Sequence, residues 1–177
     1  MKMKLESLSK NHNRKGFDCG NDELNHYLKN IARQHSEKGI SRTFVLIDEK
    51  NVSEIYGFFT LASCEIVVDK LPKKYAKKYP KRAPAAKLAR LAVQKKFQKK
   101  GFGQYMLVNA IGRVIKVSEH LGIIGFFVDA KIEAKTYYER FGFISLPDNP
   151  FELFLPLSTL KKAFGKSKGT ALKKESQ

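Results

Sequence analysis

Tryptophan is absent, cysteine occurs twice, and neither Asp nor Glu occurs anywhere from Lys70 through Ser118. Each shortage excludes something. Cys19 and Cys64 make no CxxC pair and show no metal-ligand spacing, so neither a disulfide framework nor a metal site is expected. They read as ordinary small buried residues in a reducing cytoplasm. No apolar run reaches the roughly 18 residues that a membrane span needs. Met1 to Glu6 carries lysines with no apolar stretch behind them, so no secretory signal is expected. With Trp missing and Phe present 13 times, the core should be rich in Phe and Leu. A chain of 177 residues with 42% apolar content has the length of one complete domain and is short for two.

The acid-free stretch bears on function. The formal net charge is +17, and Lys and Arg recur throughout 70–118 with nothing to offset them. Such a span projects a field of one sign that attracts polyanions, nucleic acid first among them. A small phosphorylated ligand does not need so broad a patch.

Periodicity divides the chain into alternating helices and strands. Asn21 is placed as an N-cap ahead of Asp22 and Glu23, and Leu24, Tyr27, Leu28 and Ile31 follow at helical spacing up to Gly39, which predicts a helix over 21–37. Residues 43–47 read as a strand, and 55–68 as a long strand or a bent pair. Residues 69–82 read as a Pro-bounded polar loop with room for a helical turn. A strand is expected over 86–93 and a helix from the Gly101/Gly103 turn to about His120, capped by Gly122. Residues 123–128 form an apolar run expected to be a strand buried on both faces. A short helix over 132–140 ends at Gly142, and residues 151–155 read as a last strand. Residues 1–160 are expected as one domain and 161–177 as a basic, mobile tail.

The junction Gln98-Lys99-Lys100-Gly101-Phe102-Gly103 stands between a strand and a helix. There, successive backbone N–H groups at a helix N-terminus can bind phosphate, and glycine lets the backbone approach the ligand. A Walker A loop is excluded because GxxxxGK[ST] is absent, and a Rossmann fingerprint because Met106 stands where a third glycine is needed. Taken alone, the two glycines are equally consistent with a tight strand-to-helix turn.

A second motif, Ala134-Lys135-Thr136-Tyr137-Tyr138-Glu139-Arg140-Phe141-Gly142-Phe143, follows the apolar strand. Together the two resemble the GNAT N-acetyltransferase family, with its Q/R-x-x-G-x-G/A loop followed by a helix ending in A-x-x-F-Y-x-x-x-G-F. Tyr137 stands here at the Phe position. The N-terminal half narrows the likeness. Phe17-Asp18-Cys19-Gly20-Asn21, Ser41-Arg42-Thr43-Phe44-Val45, Gly57-Phe58-Phe59-Thr60-Leu61 and Leu88-Ala89-Arg90-Leu91-Ala92-Val93 resemble the acetyltransferase toxins of type II toxin–antitoxin modules over about residues 5 to 157.

The resemblance implies an α/β (α+β) acyl-CoA N-acyltransferase fold: a mixed, twisted sheet of six to seven strands with helices on both faces. Acetyl-CoA is the implied co-substrate. Its pantetheine would run along Leu91, Ala92 and Val93, and its pyrophosphate would sit on Gln98, Lys99, Lys100, Gly101, Phe102, Gly103 and Gln104. Tyr138 is the implied general acid for the departing thiolate, since a phenol with a pKa of about 10 is protonated at neutral pH. The subfamily further implies an aminoacyl-tRNA acceptor, a homodimer and a ribbon-helix-helix antitoxin, with Arg42, Arg90, Lys95 and Lys96 as tRNA-facing residues. No metal is expected.

One argument bears on the acceptor independently. The strand before the glycine turn carries no carboxylate to serve as a base. A lysine amine with a pKa near 10.4 is only about one part in 2,500 neutral at pH 7, whereas an α-amine near 7.7 is roughly one-sixth neutral. The second attacks a thioester with little help beyond positioning. Glu54 and Glu65 remain as candidate bases. His12, His26, His35 and His120 share no partner spacing and read as surface or packing residues, and Asn109 and Arg113 as a polar pair on a helix surface. Three functions stay open on the sequence: a tRNA-acetylating toxin, a housekeeping N-acetyltransferase of protein or small amines, and a non-catalytic nucleic-acid-binding domain.

Overall fold

The computed structural model describes residues 1–164. Its strands are β1 (Met3–Ser7), β2 (Arg42–Asp48), β3 (Gly57–Val67), β4 (Arg82–Val93), β5 (Gly125–Asp129), β6 (Ile144–Ser145) and β7 (Glu152–Pro156). Its helices are α1 (Asp22–His26), α2 (Ala32–Glu37), α3 (Lys73–Ala76), α4 (Phe102–Ser118), α5 (Lys135–Glu139) and α6 (Leu157–Phe164). The strands form one seven-stranded sheet in the order β1-β2-β3-β4-β5-β7-β6. This is the mixed α/β arrangement that the alternation of periods predicts. The chain divides into two compact units, Met1–Ala62 with Leu88–Ala110, and Ser63–Lys87 with Ile111 onward.

In the first unit the helix predicted over 21–37 forms, with a π turn (Tyr27–Ile31) joining α1 to α2. Asn21 caps it as expected, its Oδ1 accepting the Leu24 N–H at 3.0 Å. The extra residue of the π turn lets Tyr27 and Leu28 both face inward, where they join Phe17, Ala32, Val45, Ile47 and Phe58 in one apolar cluster. Phe58 meets Phe17 edge-on at 5.5 Å and stacks on Tyr27 at 6.3 Å. Strands β1 and β2 pair antiparallel with Leu5 opposite Leu46, and β2 and β3 with Thr43 opposite Thr60. The Thr43 and Thr60 hydroxyls bond each other at 2.8 Å, which satisfies two buried polar groups inside the sheet.

The second unit is built on β5, β6 and β7, with Phe127 stacked on Phe154 at 4.6 Å among Ile66, Val68, Leu71 and Leu146. Of the apolar run 123–128, residues 125–128 lie in β5 and are buried, while Ile123 and the half-buried Ile124 precede the strand. Gly142, at φ 92, ends the segment that holds α5.

Several boundaries differ from the sequence expectation. Strand β4 begins at Arg82 and not at residue 86, so Pro84 lies inside it. The strand tolerates it there because Pro84 needs only its carbonyl, which accepts the Ile124 N–H at 2.9 Å. Strand β1 carries only two apolar residues among charges and β6 is two residues long, too little pattern for either to be read. Helix α4 stops at Ser118, and Gly122 is not among the glycines in the left-handed region, so it does not cap the helix. Helix α6 continues past residue 160 to Phe164, and the rest of the expected tail lies outside the described residues. Cys19 and Cys64 are half-buried, where full burial was expected.

Gly57 occupies a place where no side chain fits. A Cβ there would stand 2.6 Å from Met106 Cε and 2.8 Å from the Ala92 carbonyl oxygen. Gly57→Ala should lower stability by about 1–3 kcal/mol, the usual cost of overpacking. A urea denaturation midpoint equal to wild type would show that Met106 and the strand yield freely.

Candidate active site

The loop between β4 and α4 rests on an aromatic platform. The Gln94 N–H donates to the Tyr56 carbonyl at 2.9 Å, and the Phe97 ring lies flat on the Tyr56 ring, 3.7 Å away and tilted by 6°. Phe102, the first residue of α4, meets both rings edge-on at 5.8 and 6.3 Å. The Gln98 side-chain amide closes the loop by donating to the Val93 carbonyl and to the Cys19 carbonyl, each at 2.9 Å. Both amide hydrogens are therefore spent on the protein. Gln98 positions the loop through its side chain.

Beyond Gln98 the backbone turns through two left-handed residues, Lys99 at φ 60 and Gly101 at φ 84. A Cβ on Gly101 would meet nothing, so it is the backbone conformation that favours glycine here. The helical ladder opens with the Tyr105 N–H bonding the Gly101 carbonyl at 3.0 Å. The amides of Phe102, Gly103 and Gln104 precede that ladder at the positive end of a 17-residue helix. Such an arrangement can hold a phosphate group by main-chain donors alone.

Lysines surround the loop, but they are not equivalent. Lys95 pairs with Asp18 at 3.1 Å, and Lys96 pairs with Glu54 and also lies 4.9 Å from the Phe97 ring centroid. Asp18 also accepts the Gly20 N–H at 2.8 Å and the Asn25 side-chain amide at 2.9 Å. These bonds, with the Lys95 ammonium, hold its carboxyl down at about 2. Among the described residues Lys99 and Lys100 have no carboxylate partner, and Lys100 lies 5.6 Å from the Phe97 centroid. The residues predicted for the phosphate loop thus come together, while Lys95 and Lys96 are already engaged.

On β4, Leu91 and Val93 are half-buried and Ala92 is buried. Arg90 turns its guanidinium over the Tyr27 ring, 4.6 Å from the centroid, and its Nη1 donates to the Ala89 carbonyl at 2.8 Å. Its Nε is buried and has no hydrogen-bond partner among the described residues. An orphaned buried N–H on a cation is costly, and an acceptor atom supplied by a ligand would relieve it. Arg42, by contrast, is exposed and closes the α2–β2 connection through the Ser36 carbonyl.

Tyr138 lies on α5 and is 7% exposed. Burial pushes its phenol well above the ordinary tyrosine value, and the neighbouring Tyr137 adds to the shift. A phenol so placed is protonated at every physiological pH, the state a general acid requires. Tyr137 packs edge-on against Tyr138 and Phe141, both at 5.3 Å, with its hydroxyl buried and without a partner among the described residues. Neither candidate base stands free. Glu54 belongs to Lys96, and the exposed Glu65 to Arg82 at 2.7 Å.

Asn25, Tyr56 and Phe97 escaped sequence reasoning, and Asp18 entered it only within the Phe17–Asn21 resemblance. Asp18-Cys19-Gly20 carries an Asx-turn signature that could have been found. Tyr56 and Phe97 meet only through the fold, with no periodicity to announce them.

Residues 73–153 match the family model described as an acetyltransferase (GNAT) domain. A tRNA-acetylating toxin of Mycobacterium tuberculosis is 31% identical over 150 residues, 84% of this chain and 89% of that protein. The structure of AtaT complexed with acetyl-methionyl-tRNAfMet superposes with a TM-score of 0.85 at 30% identity, covering 92% of this chain and 99% of that one. A mutant AtaT toxin bound to acetyl-CoA and to the C-terminus of the antitoxin AtaR gives 0.78 at 26% identity, covering 93% and 99%.

The Asp18 carboxylate is a test of how the loop is held. Its folded pKa is depressed to about 2 from an unfolded value near 3.9. The stability it contributes is therefore present above about pH 4 and lost as pH falls through about 2. Asp18→Asn should lower Tm at neutral pH, and the gap from wild type should close between pH 4 and 2. A gap independent of pH would assign the effect to shape instead of charge.

Proposed function

Because the chain belongs to the GNAT acetyltransferase family, we propose that it transfers acetyl from acetyl-CoA to the α-amino group of an aminoacyl-tRNA, and so acts as a toxin that blocks translation. The observation that carries this reading is the loop Lys99–Gln104, whose left-handed turns set amides without a partner among the described residues at the start of α4. It fits a pyrophosphate held by main-chain donors, with Lys99 and Lys100 adding charge. Leu91, Ala92 and Val93 supply the adjoining strand for pantetheine. The thioester of acetyl-CoA supplies the acetyl group, and an amine takes it with release of a thiolate.

The protein's own contribution is to position, to exclude water and to deliver one proton. Tyr138 holds that proton on its hydroxyl and gives it to the thiolate as it leaves. No carboxylate stands on β4, and Glu54 and Glu65 are tied to cations. The acceptor must therefore supply its own neutral fraction, which is far larger for an α-amine than for a lysine side chain. An amino acid esterified to tRNA meets this condition, and the excess of positive charge draws its RNA portion in. Arg90, with its unspent Nε, is assigned to the acceptor side. Arg42, Lys95 and Lys96 serve the same surface, the last two making direct phosphate contacts only when their ion pairs open.

The reading extends to a homodimer neutralised by a ribbon-helix-helix antitoxin, working in the cytoplasm where charged tRNA is found. Among the described residues no helix is long and apolar enough to cross a membrane.

The direct test is transfer of label from acetyl-CoA to a total pool of charged tRNA, with uncharged tRNA, free amino acids and a basic protein mixture as parallel acceptors. Label confined to charged tRNA is expected; label on protein or free amino acids would move the function to a different amine. In the same assay Tyr138→Phe should cut turnover by about 10² to 10⁴ while acetyl-CoA binding holds. Wild-type turnover in that variant would remove Tyr138 from the role of acid.

A further inference from the structure

We propose that the loop from Lys10 to Lys15, together with Lys29 and Asn30, forms a second binding site for RNA backbone phosphates, apart from the acid-free stretch at 70–118. The proposal rests on the reading of the protein as a tRNA-acting enzyme and adds to it a surface that the enzyme's own chemistry does not use.

A cleft of about 640 Å³ opens between this loop and the π turn. Lys10, Arg14, Lys15 and Lys29 line it, and no carboxylate does. Asn11, His12, Asn13 and Asn30 complete the lining; Asn13 Oδ1 accepts the Gly16 N–H at 3.1 Å, and Asn30 Nδ2 is bonded to His26 Nδ1 at 3.0 Å, each amide keeping a further hydrogen to donate. Among the described residues Lys10, Lys15 and Lys29 take part in no ion pair, unlike Lys95 and Lys96. Unpaired cations interleaved with neutral amide donors are what phosphate and ribose oxygens require.

The loop is also held in shape before anything binds. His12 is buried beneath it at 3% exposure. Its Nδ1 accepts the Ser9 N–H at 2.9 Å, which leaves the proton on Nε2 to be donated to Glu6 Oε1, also at 2.9 Å. Glu6 is further occupied by Lys4 at 2.8 Å. The Asn13 N–H donates to the Ser53 carbonyl at 2.8 Å, the Phe17 N–H donates to the Arg14 carbonyl at 3.2 Å, and the Phe17 ring is in the core. Arg14 Nη1 donates to the Lys29 carbonyl at 2.8 Å and ties the loop to the π turn. The lysine side chains thus spring from a fixed backbone, and less ordering is left to be done on binding. Several cations spread over a cleft of this size match a polymer of phosphates better than one small anion.

The test uses the full chain with Lys10, Lys15 and Lys29 all changed to Gln, leaving Arg14 and its backbone bond in place. Uncharged tRNA is the probe, titrated by fluorescence anisotropy across a salt series. Neutralising three phosphate contacts should reduce the slope of log K against log salt by about 2 to 3, with weaker binding at low salt. Acetyl-CoA affinity should be unchanged. The Lys→Arg triple at the same positions should bind tRNA as wild type does, and if the Gln triple folds poorly the pair Lys10→Gln and Lys15→Gln carries the test, with a slope lowered by about 1 to 2 expected and an unchanged slope overturning the proposal. A wild-type slope in the Gln triple would overturn the proposal. So would loss of binding to an acidic polypeptide with tRNA binding kept, which would make the cleft a protein-docking site. Uncharged tRNA reports on the cleft whether or not the enzyme acetylates charged tRNA, so failure of the site and failure of the functional reading are separable.

Discussion

One side-chain amide joins the parts on which the loop between β4 and α4 depends. Gln98 Nε2 bonds the last carbonyl of β4, at Val93, and the Cys19 carbonyl in the turn that leads into α1. Asp18 fixes that same turn from its other side, through Gly20, Asn25 and Lys95. Strand end, helix entry and loop are therefore held by one small network of hydrogen bonds ahead of α4. Loosening one member frees the others, because each bonded group is also a backbone corner. The stacked Tyr56 and Phe97 rings add an apolar floor beneath the loop.

The electrostatics have a similar economy. The chain holds 34 basic and 17 acidic residues, and many of the acids are engaged locally. Glu6 serves Lys4 and His12, Asp18 serves Lys95, Glu54 serves Lys96, Glu65 serves Arg82, and Asp129 serves Lys87. Exposed pairs of this kind add little stability. Their effect is to select which cations remain free: among the described residues Lys10, Lys15, Lys99 and Lys100, and the lysines of 70–81, take part in no ion pair. A uniformly basic composition is thereby turned into a patterned one.

The fold was legible where pattern is dense. The helix after Asn21, the apolar run at 125–128 and the glycine turn before α4 each followed from spacing and from the chemistry of caps and turns. Strand β1 was not legible, because Met3 and Leu5 alternate with charges over too short a stretch. Pro84 argued against the strand that contains it, since only its carbonyl's partner, which the sequence cannot show, resolves the conflict. The site divides the same way. Gly101 and Tyr138 belong to motifs and could be named in advance. Tyr56, Phe97, the double bond of Gln98 and the orphaned Nε of Arg90 depend on contacts between residues distant in the chain, and no local rule encodes those.

The π turn at Tyr27–Ile31 holds one residue more than a regular helix would use. In an α-helix each residue advances the direction of its side chain by about 100°. Removing the extra residue would produce a more regular helix and a misaligned protein: everything on its N-terminal side, Asn21 and Asn25 included, would rotate by about that angle relative to Ala32. Asn25 would then face away from the Asp18 turn that it now supports. The irregularity is a phase adjustment, and it sets the angular relation between the packing face of α2 and the turn on which Gln98 leans.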